Sequence, residues 1–296
     1  MIFDAHFHLK QLLEVFPESD DFIKENDFFG FCSCRTLSEV EFVENFIAEN
    51  PGTAEKLKIT FGIHPQAPEE KELQTLERLI SENRIAAVGE IGLDRFNEEF
   101  AKTFELQKKL FAAQLEIARC AKLPVILHIR KAIPEIFEQI QELKKIEKVI
   151  FHSYSGTAAE AESILNHGVN AFFSFGNALL NGHKKALEAV KNLPENRILT
   201  ETDAPYQPKK GENFSKPQDI LEIMEKIREI KTRQTDLSGD LWSPAPLPQG
   251  SLDFVSIKFE QARQASTEAG EVSRSDGGVI IDIMEDKHNE LKENME

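Results

Sequence analysis

Residues 124–152 read PVILHIRKAIPEIFEQIQELKKIEKVIFH, and this stretch decides the fold. Two short apolar runs, Pro124–Ile129 and Lys148–Ser153, flank a longer charged segment with helical spacing. Short buried strands that alternate with amphipathic helices are typical of βα units on a parallel sheet. The stretch therefore predicts one strand–helix–strand unit, and each of its strands ends at a histidine.

The same alternation continues in both directions along the chain. Eight runs have the composition of strands: Ile2–His6, Phe28–Cys34, Leu57–Ile63, Ala86–Ile91, Pro124–Ile129, Lys148–Ser153, Asn170–Gly176 and Arg197–Thr202. Helix candidates follow them, among them Leu37–Asn50, Glu69–Asn83, Glu98–Lys122 and Ala158–Gly168. Eight such units favour an α/β fold of the TIM-like (β/α)8 barrel type over an open doubly wound sheet.

The alternation weakens after Lys231. Residues 232–250 are rich in Ser, Pro, Gly and Asp, which is typical of a linker or loop. Beyond them, Phe254–Ala269 and Ile283–Met295 are two further helix candidates. The sequence therefore predicts a barrel domain over residues 1–231 and an atypical C-terminal extension over residues 232–296.

Charge and cysteine content restrict the chemistry and the compartment. The 296 residues carry a formal net charge of −16, so a broad basic face for nucleic acid is excluded and phosphate chemistry needs a local positive centre. Bound divalent metal ions would supply that centre. Three cysteines make an odd count, which indicates reduced thiols. Because no signal peptide and no membrane-length apolar run is recognisable, we expect a cytoplasmic protein.

Metal-binding side chains end the predicted strands. His6 and His8 are two positions apart, so a strand directs both imidazoles to one side, where they can reach the same ion. A barrel gathers the C-terminal ends of all its strands on one face. The residues at these ends predict a site for two divalent ions, with Zn, Mn and Mg all admissible, and the predicted ligands are His6, His8, Glu90, His128, His152 and Asp203.

Taken singly, these residues have simpler explanations. A lone histidine after an apolar strand is more often a hydrogen-bonded core residue than a ligand. Glu90 would be costly to bury without a cation, and an ion pair with Arg95 or Arg130 would also satisfy it. Asp203 could simply cap the next turn. Their joint placement at strand ends favours the metal site.

Two more residues are interpreted as substrate ligands. His64 follows the third run in a turn, and we assign it to a substrate phosphate rather than to a metal ion. Arg130 lies two residues past His128 and could bond either a phosphate oxygen or the carboxylate of Glu90. The phenylalanines near the seventh run are interpreted as barrel core rather than as base-stacking platforms.

In combination these stretches resemble the TatD family of metal-dependent deoxyribonucleases. They occur in the family's order within about residues 1–230, and they are Asp4-Ala5-His6-Phe7-His8, Gly62-Ile63-His64-Pro65, Gly89-Glu90-Ile91-Gly92-Leu93-Asp94, His128-Ile129-Arg130, His152-Ser153-Tyr154-Ser155-Gly156 and Thr200-Glu201-Thr202-Asp203-Ala204-Pro205-Tyr206. The resemblance implies a (β/α)8 barrel that holds two divalent ions and cleaves DNA as an exonuclease or related phosphodiesterase.

The resemblance also implies a division of the ligands. One ion would be held by His6, His8, Glu90 and Asp203, and the other by Glu90, His128 and His152. Our hypothesis makes Glu90 and Asp203 the catalytic carboxylates, with Asp203 as the general base that accepts a proton from a metal-activated water. The expected partner is DNA, in single-stranded form or at 3′ ends.

Two other functions compete with this hypothesis. Related barrel hydrolases act on small esters, amides or charged tRNA, and many of them bridge their metals with a modified lysine, whereas the fourth strand here ends in Glu90. A non-catalytic scaffold with an acidic interaction tail is the second alternative, and the presence of all six ligand residues argues against it.

Overall fold

The computed structural model describes residues 1–238, and all eight predicted strands lie within them. They form one parallel sheet whose order follows the chain, and each strand pairs with the next. The prediction of a TIM-like barrel is confirmed. The strands are β1 (Ile2–Phe7), β2 (Phe28–Cys34), β3 (Leu57–Phe61), β4 (Ala87–Asp94), β5 (Val125–Arg130), β6 (Val149–His152), β7 (Ala171–Phe175) and β8 (Ile198–Thr200).

Helices connect the strands and cover the outside of the sheet. Short 3-10 turns at Pro51–Thr53 and Glu195–Arg197 precede β3 and β8. The α-helices are α1 (Leu9–Val15), α2 (Ser19–Glu25), α3 (Leu37–Glu49), α4 (Glu72–Ser81), α5 (Glu98–Lys102), α6 (Phe104–Cys120), α7 (Ile133–Glu138), α8 (Ile140–Leu143), α9 (Ala158–Asn166), α10 (Lys184–Asn192) and α11 (Asp219–Ser238).

Apolar side chains fill both sides of the strands. Every residue of β4 and of β7 is buried, as expected for parallel strands that have helices on one side and the barrel interior on the other. Phe172, Phe173 and Phe175 all belong to this core, so the assignment of these rings to the core is correct.

Backbone hydrogen bonds join the last strand to the first. Just beyond β8, the Asp203 N–H donates to the His6 carbonyl at 2.9 Å, and the His8 N–H donates to the Ala204 carbonyl at 2.8 Å. These bonds lie at the C-terminal end of β1. They fix the two ends of the sheet beside each other at the mouth of the barrel.

A buried carboxyl group reinforces the same seam. Asp4 accepts hydrogen bonds from the Thr202 N–H at 2.9 Å and the Thr202 hydroxyl at 2.6 Å. The Thr200 hydroxyl donates in turn to the Phe3 carbonyl at 2.6 Å. Burial raises the pKa of Asp4 to about 8, although the Thr202 donors act in the opposite direction. The seam is therefore held by side chains as well as by backbone.

One predicted helix is divided. The segment Glu98–Lys122 forms α5 and α6, which meet at Thr103. The Thr103 hydroxyl and the Gln107 side chain both donate to the Phe100 carbonyl, at 3.1 and 2.8 Å. These bonds occupy a carbonyl that a continuous helix would pair within its own backbone. A break of this kind leaves the apolar spacing intact, so the periodicity alone does not reveal it.

The start of the predicted linker is helical. Helix α11 continues to Ser238, past the predicted boundary at residue 231, and the next residue in the sequence is Gly239. Ile220, Ile223 and Ile227 bury the inner face of this helix. The helix candidates Phe254–Ala269 and Ile283–Met295 lie outside the described residues, and the division into two domains stays a prediction. No helix within residues 1–238 combines the length and the apolar character needed to cross a membrane.

Candidate metal centre

The six predicted ligands meet at one mouth of the barrel. The imidazole Nε2 of His6 lies 3.3 Å from Nε2 of His8 and 3.7 Å from Oδ1 of Asp203. The His8 Nε2 is 3.5 Å from the same carboxylate oxygen. Strand alternation places the two histidines on the same side of β1, and the seam brings Asp203 to them. The first and last strands therefore bring these three side chains together.

Glu90 lies at the centre of the group. Its carboxylate is within 3.4 Å of Nε2 of His6, 3.3 Å of Nε2 of His152, and 2.7 Å of Nδ1 of His128. Both carboxylate oxygens take part in these contacts, since His6 lies against Oε2 and the other two rings lie against Oε1. A side chain in this position can bridge two cations.

A glycine allows β4 and β5 to approach closely beside the centre. Gly92 has a φ of +143°, and a Cβ atom built there would lie 2.1 Å from the His128 carbonyl oxygen. Any larger residue would push apart the two strands that carry Glu90 and His128. The glycine of the fourth-strand motif is therefore required by the geometry of the site.

Mutual electrostatics keep the carboxylates ionised. Burial works to raise the pKa of Glu90, but its interactions with the surrounding imidazoles of His64, His152 and His6 and its hydrogen bond with His128 outweigh burial and hold that pKa well below the usual range. Burial also opposes ionisation of Asp203, yet the His152 charge and the His8 hydrogen bond lower its pKa to about 2. Both groups are thus negative at neutral pH and suited to a cation.

The imidazoles respond differently to their surroundings. Burial lowers the pKa of His6, and it lowers the pKa of His64 to about 4, so both rings are neutral at pH 7. For His152, burial acts in the same direction, but the charges of Glu201, Glu90 and Asp203 raise the pKa to about 10. The carboxylates of the site carry more negative charge than its histidines neutralise. This excess of negative charge favours the binding of an external cation.

Two carboxylates that the sequence interpretation missed orient the histidines. Asp94 Oδ2 lies 3.0 Å from Nε2 of His128, and Glu201 Oε2 lies 3.1 Å from Nδ1 of His152. Each ring thus has one nitrogen on an outer carboxylate and the other on Glu90. This is the arrangement in which metal-ligating histidines are commonly held. Both acids lie inside the quoted motifs. Their spacing along the sequence from the next strand end was the signal that could have identified them.

The donor set fits divalent ions. Three groups of side chains have ligand atoms within 4.8 Å of one another, and Glu90 belongs to two of them. The buried Nδ1 atoms of His6 and His8 have no hydrogen-bond partner within the described part of the chain. Mixed imidazole and carboxylate donors suit Zn or Mn, and also Mg. The groups are His6–His8–Asp203, His6–Glu90–His152 and His64–Glu90–His128.

His64 lies closer to the centre than we expected. Its Nε2 atom is 3.2 Å from Glu90 Oε1, and its Nδ1 accepts the Gln66 N–H at 3.1 Å. The histidine is buried and points at the carboxylate rather than outward. The structure therefore adds His64 to the possible metal ligands, while its assignment to a substrate phosphate stays a prediction.

Of the two alternatives given for Arg130, the contact with Glu90 is not made, whereas the contact with a substrate phosphate stays a prediction. Within residues 1–238, the guanidinium forms no ion pair with that carboxylate, whose space is taken by imidazoles. Arg130 is the exposed last residue of β5, and its guanidinium lies 3.5 Å from the centre of the Phe96 ring. Arg95, the other suggested partner of Glu90, pairs with Glu135 at 2.6 Å. Both arginines extend past the rim, because their strands end there.

Comparisons with known sequences give a consistent result. The family model of TatD-related DNases matches residues 3–240. A metal-dependent hydrolase of Mycoplasma genitalium is 35% identical over 245 residues, which cover 77% of this chain and 91% of that protein. The 3′-5′ ssDNA/RNA exonuclease TatD of Escherichia coli K12 is 29% identical over 178 residues, or 57% of this chain and 68% of that protein.

Solved structures agree on the fold. A TatD homologue from Escherichia coli K12 superposes with a TM-score of 0.67 at 23% identity, covering 79% of this chain and 95% of its own. A TatD family hydrolase from Entamoeba histolytica gives a TM-score of 0.63 at 20% identity, over 82% of this chain and 98% of that one. Since the family model spans nearly all of the described residues, the chain belongs to the family of TatD-related DNases and is a metal-dependent hydrolase.

Proposed function

We propose that this protein is a deoxyribonuclease that hydrolyses DNA phosphodiester bonds at a centre of two divalent ions. The observation that carries the proposal is the position of Glu90, whose two carboxylate oxygens face separate sets of imidazoles. The name of the Escherichia coli relative, a 3′-5′ exonuclease on ssDNA and RNA, supports a single-stranded substrate cleaved from its 3′ end.

Two ligand sets belong to this proposal. His6, His8 and Asp203 would hold one ion. His128 and His152, which both lie against Glu90 Oε1, would hold the other, with Glu90 shared between the two ions. His64 lies against Glu90 Oε1 and is placed to contact either the second ion or a phosphate oxygen. When bound, such ions supply a hydroxide near neutral pH and stabilise charge on phosphate oxygens.

Asp203 serves as the general base in this proposal. Its Oδ1 faces His6 and His8, while Oδ2 accepts a hydrogen bond from the Gln207 side-chain amide at 2.6 Å. The carboxylate is ionised at neutral pH and sits at the mouth, so it can take a proton from an attacking water. Glu90 stays deeper and holds the cations in place.

Metal removal and replacement tests the proposal. The full chain is treated with a chelator and given Mg, Mn or Zn singly, and cleavage of 3′- and 5′-labelled single-stranded and duplex DNA is followed. We expect activity to return with at least one metal and products to shorten from the 3′ end. Parallel assays on charged tRNA and a small ester test the rival hydrolases. Activity on those substrates alone would overturn the nuclease assignment, and a chain that takes up no metal would support a scaffold.

A further inference from the structure

Within the described part of the chain, the exposed aromatic rings lie near the rim of the metal centre. Within residues 1–238, the aromatic side chains among the exposed large hydrophobic residues are Phe96, which is 45% exposed, and Tyr206, which is 41% exposed. Phe96 follows β4 by two residues, and the Tyr206 ring lies 5.0 Å from that of His8. Other large rings are at least partly covered, so exposure at this mouth is a local feature rather than a general one.

Two cations lie against the Phe96 ring. The Arg130 guanidinium lies 3.5 Å from the ring centre, and the Lys131 Nζ lies 4.6 Å from it. Lys131 Nζ also donates to the Phe96 carbonyl at 2.9 Å. Lys131 has a φ of +54°, and this left-handed turn directly after β5 accompanies the return of its side chain towards Phe96.

These charges are not neutralised locally. No carboxylate of the described chain lies within ion-pair distance of Arg130 or Lys131, although Arg95 nearby is paired with Glu135. In a protein with a net charge of −16, two unpaired cations beside an exposed ring form a local site for an anion with an aromatic part. A nucleotide has both features.

Hydrogen bonds link the ring to the centre. The Phe96 N–H donates to Asp94 Oδ1 at 2.8 Å, and the other oxygen of Asp94 lies against His128. The Phe96 backbone is therefore anchored to the carboxylate that also contacts His128. A strand whose scissile phosphate lies at Glu90 would carry its neighbouring nucleotide across this part of the rim.

We propose that Phe96, Arg130 and Lys131 form a platform that binds an unpaired nucleotide next to the scissile phosphate. The base stacks on the exposed part of the Phe96 ring, and the two cations hold the adjoining phosphate. This inference rests on the proposed nuclease function. It adds that the enzyme selects single strands because a paired base cannot reach the ring.

Binding of a cleavage-resistant strand tests the platform. The full chain with added Mn is titrated into a fluorescent phosphorothioate-linked oligothymidylate, and the dissociation constant is read from anisotropy. We expect Phe96→Leu to weaken binding on the order of tenfold, and Phe96→Trp to retain it, since base stacking needs an aromatic ring. Lys131→Gln should lower the slope of log affinity against log salt by about 0.7.

Lys122→Gln is the matched charge control, because Lys122 lies in the turn before β5 at the opposite end of that strand. It should bind the strand as the unaltered protein does. Equal binding by Phe96→Leu and the unaltered protein would overturn the platform, as would equal losses in Phe96→Leu and Phe96→Trp. Thermal unfolding of each variant confirms that it is folded.

The outcomes separate the two proposals. If the unaltered protein cleaves DNA while Phe96→Leu binds normally, the platform is wrong and the nuclease function stands. If the unaltered protein cleaves no DNA under any metal, the nuclease function fails, whatever the anisotropy shows. Duplex of the same sequence should be insensitive to Phe96→Leu, and an equal loss on duplex would contradict recognition of an unpaired base.

Discussion

Asp203 is held in an unusual backbone conformation. Its φ of +54° lies in the left-handed region, which costs a non-glycine residue on the order of 1 kcal/mol or more. The seam bond from its N–H to the His6 carbonyl and the Gln207 contact keep it there. The result is a carboxylate aimed at the two first-strand histidines, with little freedom to turn away.

Replacement of Asp203 by Asn tests the base role. The amide has nearly the same shape and can keep the Gln207 contact, but it cannot accept a proton at neutral pH. We expect a folded protein whose turnover number falls by about 10²- to 10⁴-fold, the usual contribution of a general base. Turnover on single-stranded DNA near that of the unaltered enzyme would remove Asp203 from this role.

Glu201 acts through His152 and is a positioning residue. It lies 3.1 Å from His152 Nδ1 and also accepts the Ser174 hydroxyl. Glu201→Gln should weaken metal affinity by about 10- to 100-fold, because the outer carboxylate fixes the ring and raises its basicity. Metal titration by calorimetry measures this directly. Glu147→Gln, an exposed acid just before β6, is the control and should leave the affinity unchanged.

At the scale of elements, the seam between β8 and β1 brings Asp203 beside His6 and His8. Thr202 uses its hydroxyl twice, donating to Asp4 and accepting the Ala204 N–H at 3.2 Å. The neighbouring strands β1 to β8 are otherwise paired in chain order through backbone ladders. Side-chain bonds thus supplement the ladder where the barrel closes.

Thr202→Val should destabilise the protein by about 1–3 kcal/mol, because Asp4 Oδ2 and the Ala204 N–H, both buried, lose their hydrogen bonds to the Thr202 hydroxyl. Urea unfolding of the metal-free protein gives the value. Thr60→Val is a matched control, since the buried Thr60 hydroxyl has no hydrogen-bond partner in the described chain. That variant should be near neutral. Equal losses in the two variants would mean that the seam bonds contribute nothing specific.

The number of strands and their places along the chain were the part of the fold that the sequence predicted well. Apolar runs of strand length and the histidines that end them are visible in single residues, and His128 and His152 emerged from that pattern. Asp94 did not, because the predicted strand stopped at Ile91, whereas β4 continues to Asp94 in register with Arg130. The extension of β4 depends on its pairing with β5. The local sequence pattern of a strand does not show which strand pairs with it.

Side-chain direction beyond the strands was the part that the spacing along the sequence left undecided. Arg130 has the alternation expected of a Glu90 partner, yet it lies past the rim and contacts Phe96 instead. His64 was placed in a turn, but the packing of β3 against β4 carries its ring onto Glu90. Both outcomes are decided by where neighbouring strands end in space, which spacing along the chain does not specify.

At the scale of the whole molecule, acid should destabilise the metal-free protein, because it protonates carboxylates whose pKa values are lowered in the folded state. Burial opposes ionisation of Asp94, but hydrogen bonds from His128 and Gln66 lower its pKa from 3.8 to about 2. A depressed pKa adds stability that is present above about pH 4 and is lost as pH falls through 2. For Asp94 the contribution is on the order of 2 kcal/mol.

Urea unfolding at pH 5 and pH 3 after chelation measures this loss. Asp94→Asn should be less stable at pH 5 and should show a shallower fall towards pH 3, because the titrating group is gone. Asp27→Asn removes an acid that is 57% exposed and that pairs with Lys56 and the amino terminus among residues 1–238, so the variant should show the same pH dependence as the unaltered protein. An unchanged slope in Asp94→Asn would contradict the assignment.

The Asp4–Thr202 contact spans 198 positions of sequence. During synthesis, therefore, His6 and His8 leave the ribosome long before Asp203, the acid that lies beside them in the folded barrel. A fragment stopped anywhere before that point lacks Asp203 and cannot shut the barrel. In the proposed nuclease, hydrolysis of nucleic acid would therefore start only after translation has passed the eighth strand.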